Sequence, residues 1–393
     1  MLSAPAREPA PFTRLRILVA HNVPRARNGG MSRLMGFIHD AAEAEGHAVE
    51  YLCAENLSKS LRGKLSRITF PLLVFQHARA KAREGIPYDI INVHEPNAAF
   101  VIMGRALAGR PAIVVTSYGI ERRGWAILKE DSRIGRQHLN ASTRLTHPLL
   151  TLSQSAFGLR HADHIFCANH DDEQYLIEHF GRRADNVTCI RPGAASCFAD
   201  AARDRDYARA NKLIFPATWI ERKGIQDLVP AFSQLAEKYP ALSLTVLGSG
   251  VAADVVLRSF PDRLRPRISC QYAKDDREAA EVFADADVFI LPSLFEGNPL
   301  TLIEAMASGL PIVTTAICGM KDTIRDGENG LLVPTRSPKS IVDAIDRLLR
   351  SPEMRMKIGR AARGDALASY TWARVAEPVK EVYLRIARAA HQL

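Results

Sequence analysis

The sequence is poor in the features of disulfide-stabilised, metal-stabilised and membrane-spanning proteins. Its 393 residues include six cysteines, none in a CxxC pair or another metal-ligand spacing. We interpret them as buried free thiols, which argues against a disulfide scaffold or a structural zinc site. The N-terminal segment has only a short apolar run, interrupted by His21, and predicts neither a signal peptide nor a transmembrane span. We therefore expect a protein of the reducing cytoplasm.

The chain also lacks internal repeats, low-complexity tracts and a convincing DxD-type metal site. Asp171 and Asp172 lie at a predicted helix start, where capping is the simpler explanation, so no metal and no other cofactor is expected. The net charge of +9 indicates attraction to an anionic membrane, a nucleotide-linked substrate or nucleic acid. Interleaved aromatics and nucleic-acid motifs are missing, so we expect no nucleic-acid partner.

One basic stretch leaves peripheral contact with the inner face of an anionic membrane open. The apolar run at residues 68–75 is flanked by six cations: Arg62, Lys64, Arg67, Arg79, Lys81 and Arg83. Such a pattern fits a surface that rests on anionic headgroups. The alternative is a solvated helix pair with an ordinary core face, which we favour because Pro71 is predicted to break the stretch.

Short apolar runs alternate with helical patterns along the chain, which is typical of doubly wound parallel α/β sheets. The first half has runs at residues 17–20, 49–52, 90–93, 113–116 and 165–168. The second half has them at residues 213–216, 244–247, 288–291 and 312–315, with a helix predicted at 225–238. A polar linker is predicted near residues 195–210. Two Rossmann-like domains with a cleft between them follow.

The most specific chemical signal is the segment LFEGNPLTLIEAMASGLPIVTT at residues 294–315. It predicts a helix with Asn298 as N-cap, Pro299 as its first residue and Gly309 just past its end. Free backbone amides at such a helix start form a site suited to a phosphate or diphosphate. We expect four residues of this junction to contact that group: Gly297, Asn298, Leu300 and Thr301.

Two glutamates, Glu296 and Glu304, flank the predicted anion site. Carboxylates accept hydrogen bonds from sugar hydroxyls but are poor neighbours for a bare phosphate, so the natural ligand should carry both hydroxyls and a diphosphate. The alternative is that Glu296 stabilises the helix electrostatically and Glu304 lies on a solvated face. The neighbouring glycine, the Asn-Pro pair and the small residues of the helix favour the functional interpretation.

The segment resembles the retaining GT-B glycosyltransferases of glycosyltransferase family 4, also called glycosyl transferases group 1. They carry this glutamate pair in an EG-x-P-L-x-L-x-EAMA-x-G-x-P run. Further segments follow in the family's order: Gly29-Gly30, PATWIERKGIQDLVPAF, LTVLGSG and DGENGLLVP. The resemblance implies an N-terminal acceptor-binding domain at residues 1–205 and a C-terminal donor-binding domain at 206–374. A terminal helix at 375–393 is then expected to pack back on the first domain.

The resemblance also implies roles for single residues on the donor side. Lys223 matches the family's phosphate-binding lysine, and Gly29 and Gly30 match a loop that lies over the donor phosphates. The family usually has an arginine where this chain has Thr218, and Arg222 is the candidate substitute. Glu296 would hold donor-sugar hydroxyls and Glu304 ribose hydroxyls.

On the acceptor side, Tyr118 stands where the family commonly has a histidine. Tyrosine can donate a hydrogen bond but is a poor general base, so a histidine-dependent step is in doubt. His94, after another strand, is a second candidate at the same face; a structural histidine is the alternative. Glu121, Arg122 and Arg123 are expected to line the acceptor side.

The sequence thus predicts a glycosyltransferase that moves a sugar from a nucleotide-diphosphate-sugar to a hydroxyl of a glycan, a lipid-linked saccharide or a small molecule. Retention of anomeric configuration is expected from the resemblance, because the donor's own phosphate oxygen is thought to receive the acceptor proton. A GT-B-like sugar-nucleotide epimerase, an inverting transferase and a non-catalytic basic binding protein remain alternatives. The sequence does not settle the donor base, the sugar, the acceptor or the oligomeric state.

Overall fold

The structure is a computed structural model that describes residues 14–25, 30–58 and 66–391. Two parallel sheets dominate it, with strand orders β2-β1-β3-β4-β5-β6 and β12-β11-β10-β7-β8-β9. The first sheet consists of β1 (Arg16–His21), β2 (Ala48–Cys53), β3 (Ile90–His94), β4 (Ala112–Thr116), β5 (His164–Cys167) and β6 (Val187–Cys189). The second consists of β7 (Lys212–Phe215), β8 (Ser243–Leu247), β9 (Ile268–Gln271), β10 (Val288–Leu291), β11 (Ile312–Thr315) and β12 (Leu331–Val333).

Helices cover both sheets and connect the strands. Those of the first half are α1 (Gly30–Ala44), α2 (Ser66–Arg83), α3 (Ala99–Met103), α4 (Glu121–Arg133), α5 (Ala141–Thr146), α6 (Ser153–His161), α7 (His170–Phe180) and α8 (Ser196–Ala201). The others are α9 (Ile225–Lys238), α10 (Ala253–Arg258), α11 (Asp276–Asp285), α12 (Leu300–Ala307), α13 (Cys318–Thr323), α14 (Pro338–Arg350), α15 (Pro352–Ser369) and α16 (Trp372–His391). A π-helical turn, His147–Leu152, joins α5 to α6.

Every strand predicted from the sequence is present, and the predicted α/β architecture is confirmed. Three strands were not predicted, and β6, β9 and β12 all lie at sheet edges. β6 and β12 have three residues each, and two of the four residues of β9 are exposed. They therefore lack the continuous apolar run that marks a central parallel strand.

Each sheet has its own core. Two apolar clusters cover the two faces of the first sheet, and one large cluster surrounds the second. Phe198 of α8 belongs to the second core, so the crossing from the first sheet precedes residue 196 and part of the predicted linker is a packed helix. We use "N-terminal unit" for the first sheet with its helices and "C-terminal unit" for the second, which begins at α8.

The last helix, α16, returns to the N-terminal unit. Its residues Val375, Val379 and Tyr383 lie in the apolar cluster of the first sheet, and Trp372 stacks on Phe37 of α1 with ring centroids 4.3 Å apart. The two segments that cross between the units lie side by side, because the amide of Ala194 donates to the Tyr370 carbonyl at 2.9 Å.

Helix α2 corrects one expectation. It runs through Pro71 without interruption. A proline removes one helical N–H and leaves the carbonyl four residues earlier without its partner. Here the side-chain amide of Gln154 donates to the Arg67 carbonyl at 2.9 Å, which replaces the lost bond. Tertiary contact therefore allows a helix that local sequence disfavours.

Candidate functional site

The predicted site residues follow the carboxyl ends of strands at the two points where the strand order reverses. In the first sheet the order reverses between β1 and β3, and in the second between β7 and β10. Ligands of open α/β sheets bind at such switch points. Lys223 follows β7, Glu296 follows β10 and His94 ends β3. Sheet topology therefore brings together residues that are far apart in sequence.

A cavity of about 420 Å³ lies between the units at these strand ends, and we call it the donor cavity. Most predicted donor-site residues line it: Arg222, Lys223, Glu296, Gly297, Asn298, Leu300, Thr301 and Glu304. Residues from the N-terminal unit, Arg33 and Tyr118, complete its wall. Gly29 lies outside the described residues, and Gly30 is the first residue of α1.

Lys223 and Glu296 form a buried ion pair in the donor cavity. The Lys223 ammonium lies 2.5 Å from Oε1 of Glu296, which also accepts from the Ser293 hydroxyl at 2.8 Å. Burial alone would raise the pKa of Glu296, but Lys223 and Arg222 outweigh it and hold that pKa below its usual value. Glu296 is therefore ionised although only 6% of the residue is exposed.

Two glycines permit the close approaches around this pair. Gly224 has φ +77, and a Cβ there would lie 1.9 Å from the carbonyl oxygen of Pro292, so only glycine fits the turn after Lys223. A Cβ on Gly297 would lie 2.5 Å from the Tyr118 carbonyl oxygen in the N-terminal unit. Gly297 is thus a point of direct backbone contact between the units.

The helix that follows Gly297 begins one residue later than predicted. Pro299, in extended conformation, is the N-cap of α12, and the predicted cap Asn298 instead donates to Thr323 at 3.3 Å. The predicted positions of Asn298 and Pro299 were therefore wrong by one residue, because a side-chain contact with α13 holds Asn298 outside the helix. Leu300 and Thr301 supply the first two helical amides, which have no acceptor within the helix. Gly309 follows the helix with φ +66, as predicted.

Glu304 does not lie on a solvated face. It is buried within α12, and its Oε1 is 2.6 Å from the Arg33 guanidinium of α1, which also lies 2.8 Å from Asp276. Burial raises the pKa of Glu304, and Arg33 offsets only part of that rise. The sequence did not identify Arg33, since only the tertiary fold brings α1 against α12.

The structure locates Thr218, which stands where the family usually has an arginine, and Arg222, the candidate substitute. Thr218 lines the donor cavity and brings no charge to it. Arg222 donates to the Phe295 carbonyl at 2.7 Å and lies 3.4 Å from Oε2 of Glu296, so it faces the loop that carries Glu296. Its side chain is 45% exposed.

A second cavity, of about 520 Å³, adjoins the first at Tyr118 and Arg222, and we call it the acceptor cavity. His94 and Tyr118 line it with their rings stacked, 5.3 Å between centroids. Burial lowers the pKa of His94 to about 3 and raises that of Tyr118, so both rings are neutral. The Tyr118 hydroxyl has no hydrogen-bond partner among the described side chains and backbone groups.

The acceptor cavity contains two carboxyl groups, Glu95 and Glu121. Glu95 is buried and accepts from the Ser155 hydroxyl and from the Glu121 amide, at 3.4 Å for the latter. Burial and the nearby Glu121 raise the pKa of Glu95 to about 7, while burial also raises that of Glu121. Sequence reasoning did not single out Glu95, although it directly follows His94 in the NVHEP run.

The remaining acceptor-side expectations hold only in part. Glu121 lines the acceptor cavity, whereas Arg122 lines a separate one beside Trp125. Arg123 is bonded to Asp172 and lies 3.2 Å from Asp171. Those aspartates follow Asn169, whose side chain caps α7, so the predicted capping role belongs to Asn169.

Several ion pairs join the two units around the cavities. Arg136 lies 2.8 Å from Asp227, and Arg336 lies 2.6 Å from Asp131. Lys321 lies 2.7 Å from Asp171. In residues 14–25, 30–58 and 66–391, no group of three His, Cys, Asp or Glu side chains is placed to hold a metal ion. Over the same residues, no helix has the length and apolar character needed to span a bilayer.

Comparisons with known proteins agree with this architecture. Residues 28–195 match the model described as Glycosyltransferase Family 4, and residues 201–365 match the model Glycosyl transferases group 1. The D-inositol 3-phosphate glycosyltransferase of Corynebacterium aurimucosum is 29% identical over 53% of this chain and 53% of its own. The phosphatidyl-myo-inositol mannosyltransferase of Mycobacterium leprae is 26% identical over 84% of this chain and 82% of its own. The chain thus spans about half the length of the first of these relatives.

Solved structures show the same fold. The sucrose-phosphate synthase of Thermosynechococcus elongatus superposes with a TM-score of 0.76 at 20% identity, covering 96% of this chain and 100% of that one. Anabaena HepE, solved in complex with UDP-glucose, gives a TM-score of 0.66 at 16% identity, with 97% and 100% covered. With both halves matched by family models and the whole by this fold, the chain belongs to glycosyltransferase family 4 and has the GT-B architecture expected from its sequence.

Proposed function

We propose that the protein transfers a sugar from a nucleotide-diphosphate-sugar to an acceptor hydroxyl, with retention of anomeric configuration. The observation that carries the proposal is the donor cavity, where a buried lysine-glutamate pair adjoins the start of α12. Family membership supports the reaction class, and a structural neighbour bound to UDP-glucose supports the donor class.

The charges in the donor cavity suit both ends of such a donor. The Lys223 ammonium and the amides of Leu300 and Thr301 would stabilise the leaving diphosphate. Glu296 would accept hydrogen bonds from donor-sugar hydroxyls, and Glu304 from ribose hydroxyls. Each carboxylate now bonds a cation, so donor binding would exchange those contacts for hydroxyls and phosphate oxygens.

In the proposed step, the bond from the anomeric carbon to the phosphate oxygen breaks and its electron pair leaves with the diphosphate. The acceptor oxygen bonds to the same face of that carbon, and its proton passes to the departing phosphate oxygen. Neutral Tyr118 and neutral His94 would orient the acceptor, since neither serves as a strong base in this setting. The proposal assigns no metal and no other cofactor.

The acceptor cavity favours an uncharged, hydroxyl-bearing acceptor group. Burial raises the pKa values of Glu95 and Glu121, so these acids offer a phosphate no positive charge, but they can donate to or accept from hydroxyls. Trp125, stacked on His147 at 4.6 Å between centroids, offers a flat apolar wall of the kind that sugar rings contact. A glycan, a saccharide carried on a lipid and a small polyol all satisfy this chemistry.

A melting-temperature panel of UDP-, GDP- and ADP-sugars tests the proposal, because a ligand that binds only the folded state raises the melting temperature. The donor that binds is then incubated with hydroxylated acceptors, and NMR of the anomeric proton reports retention. Product with inverted configuration would favour the inverting alternative, and conversion of the donor without acceptor would favour an epimerase. Strong salt-dependent binding of nucleic acid without any response to sugar nucleotides would favour the non-catalytic binding protein. No nucleotide-dependent shift at all would contradict the donor assignment.

We also propose that the protein contacts an anionic membrane, where a lipid-linked acceptor would lie. The core face of α2 is buried at Phe70 and Val74, while Ile68 and Leu72 are 41% and 37% exposed. Arg62 and Lys64 lie outside the described residues. Cosedimentation with phosphatidylglycerol vesicles, compared with phosphatidylcholine vesicles, tests this contact; equal recovery in both supernatants would contradict it.

A further inference from the structure

The donor cavity contains a cation whose position the proposed mechanism has not explained. Arg33 belongs to the N-terminal unit, yet its side chain reaches into the donor cavity of the C-terminal unit and is only 12% exposed. It is the fourth residue of α1, close to the helix N-terminus, where a positive charge is disfavoured by the helix dipole. Helix stability therefore does not account for an arginine at this position.

The contacts of Arg33 are ionic but poorly directed. Its Nη2 atom lies 2.6 Å from Glu304 and 2.8 Å from Asp276. Among the described groups, however, neither Nε nor Nη2 has an acceptor in hydrogen-bonding alignment. A guanidinium that binds a carboxylate through its fork uses two parallel N–H bonds. An anion that displaces these carboxylates can bind the Arg33 guanidinium through that fork.

The other cations of the donor cavity differ from Arg33 in this respect. Lys223 donates to Glu296, and Arg222 donates to the backbone carbonyl of Phe295. Lys274, which precedes α11 and lines the cavity, is 81% exposed and pairs with Glu278 of α11. Arg33 is thus a buried guanidinium on this cavity whose partner carboxylate is the proposed ribose-binding Glu304.

We propose that Arg33 is a diphosphate-binding residue. Before the donor binds, it pairs with Glu304 and Asp276; when ribose hydroxyls bind Glu304, Arg33 moves to the donor phosphates. This inference rests on the proposed function. It adds a guanidinium from the N-terminal unit to a cavity where Thr218 brings no charge. Because Arg33 belongs to α1, it would bind the diphosphate from the N-terminal unit, whereas Lys223 binds it from the C-terminal unit.

The exchange is electrostatically consistent. Glu304 is buried and is stabilised by the close Arg33 cation, and two ribose hydroxyls that donate to it can take the place of that cation. A diphosphate brings at least two negative charges, which the released guanidinium can bind in bidentate fashion. Asp276 keeps Arg33 close to the cavity during the exchange, since the two groups lie 2.8 Å apart.

The test compares binding of a nucleoside diphosphate with binding of its nucleoside in the full-length chain. Calorimetry would first establish which of UDP, ADP and GDP the parent protein binds. That diphosphate is then compared with its own nucleoside, which is uridine, adenosine or guanosine. We expect R33A to weaken diphosphate binding 10-fold or more while nucleoside affinity changes less than 3-fold. R33K should retain part of the diphosphate affinity, because it keeps the charge but not the fork.

Arg136 offers a matched control, since it also joins the two units, at 2.8 Å from Asp227, but does not line the donor cavity. R136A should leave the ratio of diphosphate to nucleoside affinity unchanged. If R136A lowers that ratio as much as R33A does, the measurement reports closure of the units and the proposal is overturned. An equal loss of both ligands in R33A would also overturn it, because that pattern indicates a structural role.

Removal of Arg33 leaves Glu304 buried without its main cation, and R33A could therefore fail to fold. In that case the ratio of diphosphate to nucleoside affinity is measured in R33A/E304Q and compared with that of E304Q. The neutral glutamine then leaves no unpaired charge when Arg33 is removed. Failure of the inference remains distinct from failure of the proposed function. If the parent binds none of the three diphosphates, the proposed function fails; if it binds one and R33A leaves the ratio unchanged, only the role of Arg33 fails.

Discussion

The two cavities between the units differ in how they hold charge. In the donor cavity, Glu296 and Glu304 lie opposite cations at 2.5 and 2.6 Å. In the acceptor cavity, Glu95 and Glu121 have no such close cation among the described residues and lie among apolar and aromatic side chains. A charged ligand can replace one member of an existing ion pair, whereas a neutral ligand is better served by acids whose protonated form is favoured by burial.

The presence or absence of a nearby cation explains why the pKa of Glu296 is lowered and that of Glu95 is raised. Lys223 and Arg222 depress the pKa of Glu296 against the effect of burial. Glu95 has only hydroxyl and amide donors, so burial wins and its pKa rises to about 7. The contrast predicts that removing a cation will affect the donor cavity most, and that changing pH will affect the acceptor cavity most.

The largest effect is expected from K223A. Loss of the ammonium should lower kcat/KM by about 100- to 1,000-fold, the magnitude observed when one electrostatic contact to a developing negative charge is removed. It should also lower the free energy of unfolding by roughly 3 kcal/mol, because Glu296 stays buried without its closest cation. Urea denaturation and initial rates measure the two losses.

The double variant K223A/E296Q separates those two effects. Neutral glutamine should restore most of the stability but none of the activity. Lys321, which also pairs across the units at 2.7 Å but lies outside both cavities, is the control, and K321A should change kcat/KM by less than about 3-fold. Recovery of transfer in the double variant would contradict the role of Lys223.

The next effect is expected from G297A, which tests contact rather than charge. The added methyl group would lie 2.5 Å from the Tyr118 carbonyl oxygen, so the units would have to move apart. We expect kcat/KM to fall about 10-fold or more, since small displacements of reacting groups are costly. G364A is the control: its Cβ meets no heavy atom within 4 Å, and alanine in α15 should stabilise by about 0.5–1 kcal/mol. Parent-like activity in G297A would show that the contact is dispensable.

A smaller effect should follow from pH at Glu95. Its pKa is about 7 in the folded protein against an ordinary 4.5, so the native state binds more protons between these values. Stability contributed by the protonated group is therefore lost as pH rises, by up to about 3 kcal/mol between pH 4.5 and pH 7. Denaturant titrations of the parent and E95Q at pH 5 and pH 8 measure it. The stability of E95Q relative to the parent should increase at pH 8; a constant difference would argue against a buried titrating acid.

The smallest effect is expected from Y118F. The hydroxyl is buried and makes no hydrogen bond to the described part of the chain, so its removal should leave the free energy of unfolding unchanged or slightly higher. If it donates to a substrate, kcat/KM should fall about 2- to 10-fold, the value of one neutral hydrogen bond. Unchanged kcat/KM would remove Tyr118 from the site, and a loss above about 100-fold would require a proton-transfer role that its raised pKa does not support.

The sequence predicted much of this molecule because its signals are local. Buried parallel strands read as continuous apolar runs, and helix α9 begins and ends where its pattern does, at Ile225 and Lys238. The edge strand β9 was not predicted, because half of its side chains face solvent and no apolar run marks it. The start of α12 was placed one residue early, since a contact with Thr323 holds Asn298 outside the helix.

By itself, the sequence determined the fold class, the family and the segments that carry Lys223, Glu296 and Glu304. Only the tertiary structure decided what opposes them: Lys223 and Glu296 oppose each other, and Arg33 of the distant helix α1 opposes Glu304. Local pattern specifies which side chains follow each strand. Packing of the two sheets decides which of those side chains meet, which are desolvated, and therefore which are charged.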